Sequence, residues 1–164
     1  MPPLGIRWSG SDPKIHDRTR EEVVTVPKTT RRGTAKKSEL PSTLQKSEAK
    51  AQRTFAKAHD AAAEEYGEGE RAHRVAYSAL KHSYEKVGDH WEAKKRRGPS
   101  DQRARSGGPA AKGETAEGVD AHASKSHLMQ IARRLDIPGR STMNKSDLVT
   151  AIEKANRRET RARR

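Results

Sequence analysis

The position of the aromatic residues constrains this chain more than any other feature of its sequence. Five of the six lie within residues 47–92: Phe55, Tyr66, Tyr77, Tyr84 and Trp91. Aromatic side chains bury large areas, so this segment is the one best able to build an aromatic core. One other segment, residues 124–156, carries apolar residues at regular spacing. Because 30% of residues are hydrophobic and 35% are charged, the apolar surface cannot offset the entropy of ordering the whole chain. We therefore expect two small modules joined by disordered basic chain.

The first of these segments has the pattern of two helices joined by a short loop. Apolar residues three and four positions apart predict one helix from a cap at Ser47 to a stop at Gly67. A second helix is predicted from about Glu70 to Gly88, and the short loop favours an antiparallel pair. Three further apolar side chains are expected to close the ends of the core: Leu40, Leu44 and Trp91.

The second segment predicts a helix, an extended loop and another helix. Ser124 suits the N-cap of the first helix. The loop follows at residues 137–141, where Pro138 disfavours helix in the residue before it and Gly139 frees the backbone. Asn144 suits the next N-cap, and Asp147 lies three residues further on, as in a capping box. The predicted fold class is therefore mainly α.

Three remaining segments lack apolar periodicity. Residues 1–37 and the linker 93–123 are predicted to be disordered, and the basic tail 157–164 either continues the last helix or frays. Residues 26–28 form a Val-Pro-Lys sequence, and bacterial genes can start at a valine codon. A native protein lacking residues 1–25 is thus one hypothesis, and an intact mass that includes those residues would contradict it.

The net charge of +13 is divided unevenly among these segments. Residues 47–92 hold seven Lys and Arg against nine Asp and Glu, whereas residues 1–46, 93–123 and 124–164 carry net charges of +5, +3 and +7. With a pI near 10.3, the chain favours a nucleic acid or another polyanion as partner. The alternative is that the excess charge merely keeps a disordered chain in solution.

Several classes of site are not expected. The absence of cysteine excludes disulfides, thiol catalysis and cysteine-ligated zinc. No apolar run approaches the roughly 20 residues that span a bilayer, and no signal peptide is visible. We therefore expect a cytoplasmic protein that does not insert into a membrane. Four histidines lie in the first module without a metal-binding motif: His59, His73, His82 and His90. We expect these histidines to be packed in the core or exposed to solvent, without a bound metal. We also expect the protein to have no cofactor and no catalytic residue.

The order of motifs in the first module resembles the ChaB family over residues 38–92. Leu40-Pro41 is followed by the segment Ala72-His73-Arg74-Val75-Ala76 and by a closing Gly88-Asp89-His90-Trp91. The resemblance implies a small, mainly helical fold with a minor β element at its ends. Since the family is named for regulation of cation transport, it also implies a regulatory role through an unknown protein partner.

The second module is similar to the N-terminal, SAP-like module of transcription termination factor Rho over residues 124–156. The similarity rests on the loop Ile137-Pro138-Gly139-Arg140-Ser141 between two short apolar stripes. It implies association with nucleic acid, DNA or RNA, and a link to transcription termination. Residues 124–164 contain no Phe, Tyr or Trp, so the stacking surface typical of single-strand binding is missing there. Backbone contact with little sequence specificity is therefore predicted.

Basic side chains of the second module are the predicted nucleic-acid contacts: Lys125, Arg133, Arg134, Arg140, Lys145, Arg157, Arg158 and Arg161. Free backbone amides at the start of the second helix, at residues 144–146, also suit a phosphate. The alternative for each of these side chains is that it solvates a helix face. Two functions follow: a non-enzymatic nucleic-acid-associated protein, or a regulator of cation transport or stress that acts through protein partners.

Overall fold

The computed structural model describes residues 26–162, and the expectations for residues 1–25, 163 and 164 lie outside them. Within that range the fold is mainly α with one two-stranded antiparallel sheet, which confirms the predicted class. The elements are α1 (Ser42–Gln45), α2 (Ala49–Tyr66), α3 (Glu70–Lys81), β1 (Tyr84–Val87), β2 (His90–Ala93), α4 (Gln102–Ser106), α5 (Lys125–Arg134) and α6 (Lys145–Ala162). Short 3-10 turns lie at Lys37–Glu39 and Arg140–Thr142. No helix in residues 26–162 is long and apolar enough to cross a membrane.

The first module is built on the antiparallel pair α2 and α3. α2 ends at Gly67, whose φ of 81° is a left-handed conformation that glycine adopts without strain. The predicted cap is wrong by one residue, because Glu48 occupies the N-cap position. Ser47 instead links α1 to β2: its hydroxyl donates to the Thr43 carbonyl at 2.7 Å and accepts from the Trp91 amide at 2.8 Å. As predicted, three side chains complete the core around Phe55: Leu40, Leu44 and Trp91.

The second helix of this module is shorter than the sequence predicts. Residues 84–87 form β1, which pairs with β2 so that Val87 lies opposite His90. Leu80, Tyr84 and Val87 are spaced as on a helix, yet Gly88, with a φ of 64°, turns the chain back on itself. The β hairpin is also fixed from outside by a hydrogen bond from the Lys86 amide to the carbonyl of residue 118 at 2.8 Å. The apolar spacing of residues 80–87 predicts a helix, but tertiary contacts make residues 84–87 a strand.

Residues 93–123 are folded against both modules, in contrast to the disordered linker that the sequence predicts. Asp101 caps α4 by accepting from the Ala104 amide at 2.7 Å, and it also accepts from the Ala116 amide at 3.1 Å. Its carboxylate forms an ion pair with Lys81 at 2.7 Å, with both side chains nearly buried. Val119 is buried in the core of the second module. Buried polar bonds hold this segment in place, so hydropathy periodicity does not reveal its order.

The N-terminal segment is likewise attached where the structure describes it, from residue 26 onward. The side chain of Asp60 on α2 accepts hydrogen bonds from the amides of Lys28 and Thr29 at 2.7 and 2.9 Å. Thr29 and Ala35 form an isolated antiparallel bridge. Residues 26–37 therefore differ from the disorder predicted for residues 1–37, because the Asp60 carboxylate and the pair of Lys28 with Glu68 at 3.4 Å attach them to the first module.

The second module follows the predicted helix–loop–helix closely. Ser124 accepts from the His127 amide at 3.2 Å, and Asn144 and Asp147 exchange hydrogen bonds at 2.9 and 3.2 Å as a capping box. Leu128, Leu148 and Ile152 are fully buried between α5 and α6. Of the two alternatives for the basic tail, the structure has the helical one as far as Ala162.

The two modules meet at the β hairpin. The buried amide of Asn156 on α6 accepts from the Gly88 amide at 2.6 Å and donates to the Lys86 carbonyl at 2.9 Å. Val87 belongs to the core of the second module. The hairpin is therefore shared, and it sets how the basic side chains of α5 and α6 lie relative to the first module.

Candidate nucleic-acid interface

The eight predicted contact residues all lie on the second module, but they do not form one surface. Seven of them are exposed and Arg140 is half-buried. They fall on α5, on the loop after it and along α6, and several are engaged within the protein.

The strongest cluster among them lies on one face near the end of α6. Lys154, Arg157, Arg158 and Arg161 line a single shallow groove, and we call these four residues the α6 stripe. Their spacing of three and four residues places them on the same side of the helix. Three were predicted, whereas Lys154 was missed, although it lies three residues before Arg157 on a predicted helix and could have been found by that spacing.

Part of the charge of the α6 stripe is offset by carboxylates. Arg157 lies 3.0 Å from Glu117 and 3.7 Å from Glu153, and Arg158 lies 4.0 Å from Glu159. Among residues 26–162, Lys154 and Arg161 form no ion pair within 4.0 Å. The arginines involved are largely exposed, so these pairs are weak and a phosphate can compete with the carboxylates.

Arg134 is committed to a contact between the modules. Its guanidinium donates hydrogen bonds to both carboxylate oxygens of Glu92 on β2, one of them at 2.8 Å. The hydrogen bond and the charge of Arg134 hold the pKa of Glu92 below its usual range, although burial opposes them. This side chain therefore helps dock α5 onto the β hairpin instead of being free for a phosphate.

The loop and the start of α6 also use their polar groups internally. Arg140 donates to the Ile137 carbonyl at 2.9 Å and holds the extended loop in shape. At the start of α6, the Asp147 carboxylate accepts from the Asn144 amide at 3.2 Å, so one of the amides predicted to bind a phosphate is already engaged. Lys145 lies beside this capped end. Lys125 and Arg133 are exposed on α5.

A second basic surface lies where residues 94–105 meet the start of α5. This cleft of about 580 Å³, here called the junction groove, is lined by Lys95, Arg96, Arg97 and Arg105 together with His122 and Ser124. The four Lys and Arg side chains are exposed. The run of four basic residues at 94–97 was visible in the sequence, but its assignment to a disordered linker concealed its place beside α5.

The base of the junction groove is buried and charged. Lys94 pairs with Asp120 at 3.1 Å, and His127 hydrogen-bonds Glu85 at 2.7 Å. The other carboxylate oxygen of Glu85 is buried with no hydrogen-bond partner in the described chain. Burial raises the pKa of Glu85, although the bond to His127 opposes this. The groove thus has a nearly neutral base under a cationic rim.

Two of the four histidines come together, but not as a metal site. The rings of His59 and His73 lie 4.7 Å apart, edge to face, next to Phe55. His59 is fully buried, and burial lowers the pKa of both imidazoles, to which the charge of Lys28 adds. Residues 26–162 contain no group of three or more potential ligands arranged to hold a metal ion.

Comparison with known proteins finds a family model that matches each module. Residues 40–94 match the ChaB family, and residues 126–159 match the family described as the Rho termination factor N-terminal domain. These matches confirm the predicted two-module arrangement and its order. Both families are of regulatory or binding type rather than catalytic. No curated protein and no solved structure matches the chain.

Proposed function

We propose that this protein is a non-enzymatic, nucleic-acid-associated regulator whose second module binds the phosphate backbone through the α6 stripe. The observation that carries the proposal is the convergence of Lys154, Arg157, Arg158 and Arg161 on one open groove. This groove lies on the helix that ends the match to the Rho N-terminal domain. Side chains that are exposed and only weakly paired can exchange their counterions for phosphates, which is the main source of sequence-independent affinity.

The junction groove offers a second place for the same backbone. Its rim carries Lys95, Arg96, Arg97 and Arg105, and Lys125 follows directly after its edge at Ser124. Binding at both surfaces gives more released counterions than binding at one, and hence a steeper dependence on salt.

The experiment is a fluorescence anisotropy titration of the full chain with duplex DNA and with single-stranded RNA at two salt concentrations. The test variant, Lys154→Gln/Arg158→Gln/Arg161→Gln, removes three charges. It leaves Arg157 in place, because this side chain forms an ion pair with Glu117. The matched control, Lys50→Gln/Arg53→Gln/Lys57→Gln, removes three exposed charges from α2. We expect the test variant to bind about tenfold more weakly, with a salt slope reduced by about 2–3. Equal affinities for the two variants would show that the α6 stripe is not the surface that binds the phosphate backbone.

A second candidate function rests on the match of residues 40–94 to the ChaB family. In that case the first module regulates cation transport or a stress response through a protein partner, and the basic residues of the second module serve another purpose. A pull-down with the full chain that recovers a transporter subunit, together with a test variant that binds nucleic acid as well as the wild type does, would favour this function.

A further inference from the structure

A third cavity, outside both basic surfaces, combines aromatic walls with positive charge. It has a volume of about 390 Å³ and lies between α3, β2 and the segment 103–117. This volume falls within the range of small-molecule sites in proteins. The side chains that define it are Tyr77, Trp91, His73, Arg74, Lys86 and Arg103. We call it the aromatic pocket.

The aromatic wall of this pocket is held in place from behind. The rings of Tyr77 and Trp91 lie 6.0 Å apart with their planes inclined by 34°, and Phe55 packs edge-on against Tyr77 at 4.9 Å. Gly118 lies so close to the indole that an added Cβ would fall 2.6 Å from Trp91 Cη2. The rings are therefore preorganised, and the binding of a planar ligand would cost little conformational entropy in these side chains.

Polar groups around the wall remain available. The Tyr77 hydroxyl makes no hydrogen bond to another residue in 26–162, and burial raises the pKa of this phenol to about 12, so it stays a donor. Arg103 donates to the Gly113 carbonyl through Nε, at 3.1 Å, and its terminal nitrogens form no ion pair with a described residue. Hydrogen-bond donors beside aromatic rings suit a ligand that is both planar and anionic.

The cavity and the α6 stripe are neighbours through one ion pair. Glu117 lines the pocket and pairs with Arg157 of the stripe at 3.0 Å. A strand whose phosphates lie on the stripe at Arg157 is therefore one ion pair away from a residue that lines the pocket. Two further lining groups, Lys81 and Arg74, are neutralised by Asp101 and Glu70, so the argument for an anionic ligand rests on Arg103.

We propose that the aromatic pocket receives one unpaired nucleotide of a single-stranded nucleic acid, with the base against Tyr77, beside the nearly buried Trp91, and a phosphate near Arg103. The proposal rests on the proposed function, because the α6 stripe supplies the backbone contact that brings the strand to the pocket. It departs from the expectation of backbone contact alone, which followed from the lack of aromatic residues in 124–164. Base–aromatic stacking gives affinity with little sequence preference, as a general single-strand binder needs.

The test uses the fluorescence of Trp91 in the full chain carrying Trp8→Phe, which leaves Trp91 as the single tryptophan. The probes are a ten-residue oligothymidylate, an abasic strand with the same phosphates, a DNA hairpin duplex and thymidine monophosphate. We expect oligothymidylate to quench Trp91 and to bind about tenfold more tightly than the abasic strand. The abasic strand and the duplex should bind without quenching, and the mononucleotide should quench only at far higher concentration.

A variant pair separates the pocket from the fold. Tyr77→Leu should bring oligothymidylate affinity down to that of the abasic strand, and Arg103→Gln, at an exposed position, should weaken oligothymidylate binding more than abasic binding. Neither variant should change the affinity for the duplex, which shows that the α6 stripe is intact.

The outcomes distinguish this proposal from the function on which it rests. If oligothymidylate and the abasic strand bind equally and Trp91 fluorescence is unchanged, the pocket proposal is wrong and backbone binding stands. If no strand binds at all, the proposed function fails as well. If the mononucleotide binds as tightly as the oligonucleotide, the pocket is a site for free nucleotides and the proposed strand occupancy is overturned.

Discussion

Replacement of Asp101 should destabilise the protein by loosening the part of the 93–123 segment that this side chain holds, residues 101–116. This carboxylate is 4% exposed and accepts from Lys81 Nζ at 2.7 Å and from the amides of Ala104 and Ala116 at 2.7 and 3.1 Å. Asp101→Ala removes the partner of a nearly buried ammonium group and leaves two amides without an acceptor. Removing one partner of a buried pair costs about 3–5 kcal/mol, a large share of the 5–15 kcal/mol that stabilises a typical domain.

Two companion variants divide that cost into its parts. Asp101→Asn keeps the shape and an acceptor oxygen but loses the charge, so it should cost about half as much as Asp101→Ala. Lys81→Met/Asp101→Asn removes both charges, and it should be more stable than Asp101→Asn alone because no unpaired ammonium group stays buried. The measurement is urea denaturation followed by far-ultraviolet circular dichroism, and the single variant Lys81→Met completes the double-mutant cycle from which the free energies of unfolding are compared.

The pH dependence provides an independent check on Asp101. Burial alone would raise the pKa of this carboxyl, but the bonds from Lys81 and from the two amides outweigh burial and hold the pKa below its ordinary value. The folded state therefore gains stability above the unfolded pKa of about 3.9, and it loses that stability as the pH falls through the lower folded value. Asp101→Asn should flatten this loss. A destabilisation by Asp101→Ala of less than about 1 kcal/mol, or acid unfolding identical to that of the wild type, would refute the role assigned to this side chain.

Further predictions concern the contact between the modules and the buried histidine. Asn156→Ala leaves the Gly88 amide without its acceptor and the Lys86 carbonyl without this donor. Thermal denaturation should therefore show that the free energy of unfolding falls by about 1–3 kcal/mol. An unchanged melting temperature would mean that the contact between the modules does not depend on these bonds. Burial lowers the pKa of His59, so the wild type should lose stability as the pH falls from above the unfolded pKa of about 6.5 toward 5. His59→Phe should lose less between pH 7 and 5 in urea titrations, and an equal loss would assign the acid sensitivity to other groups.

The shared β hairpin gives the two family matches a structural meaning. It belongs to the segment matched by the ChaB family, yet Val87 is buried in the core of the second module and Asn156 bonds to its turn. The ion pair between Arg134 and Glu92 adds a contact on the same hairpin. Residues matched by one family thus complete the core of the segment matched by the other.

Local signals in the sequence predicted local structure well. Gly67 ends α2, Ser124 caps α5, and Asn144 and Asp147 form the predicted capping box, because each of these residues acts on backbone groups within four positions of itself. The buried ends of the first core, including Leu40 and Leu44, were also predicted. These features are decided by short-range geometry, so a single sequence contains them.

Features that depend on distant partners were missed or misplaced. Residues 84–87 have a helical spacing but form a strand, because the turn at Gly88 and the bond to residue 118 stabilise the alternative. The order of residues 93–123 depends on partners from distant segments, among them the buried carboxylate of Asp101, which looks in the sequence like any other charge in a polar segment. Periodicity measures apolar faces and does not detect polar anchors.

The sequence by itself determined that this is a mainly helical, strongly basic protein with two small modules in a fixed order, since composition and apolar spacing are properties of the chain alone. The tertiary structure decided which charges and rings are neighbours. It engaged Arg134 in a contact between modules, assembled the junction groove from a supposed linker, and paired Arg157 of the α6 stripe with Glu117, which lines the aromatic pocket. The physical reason is that a charge or a ring acquires its role from what lies within a few ångströms of it, and those neighbours come from segments far apart in the sequence.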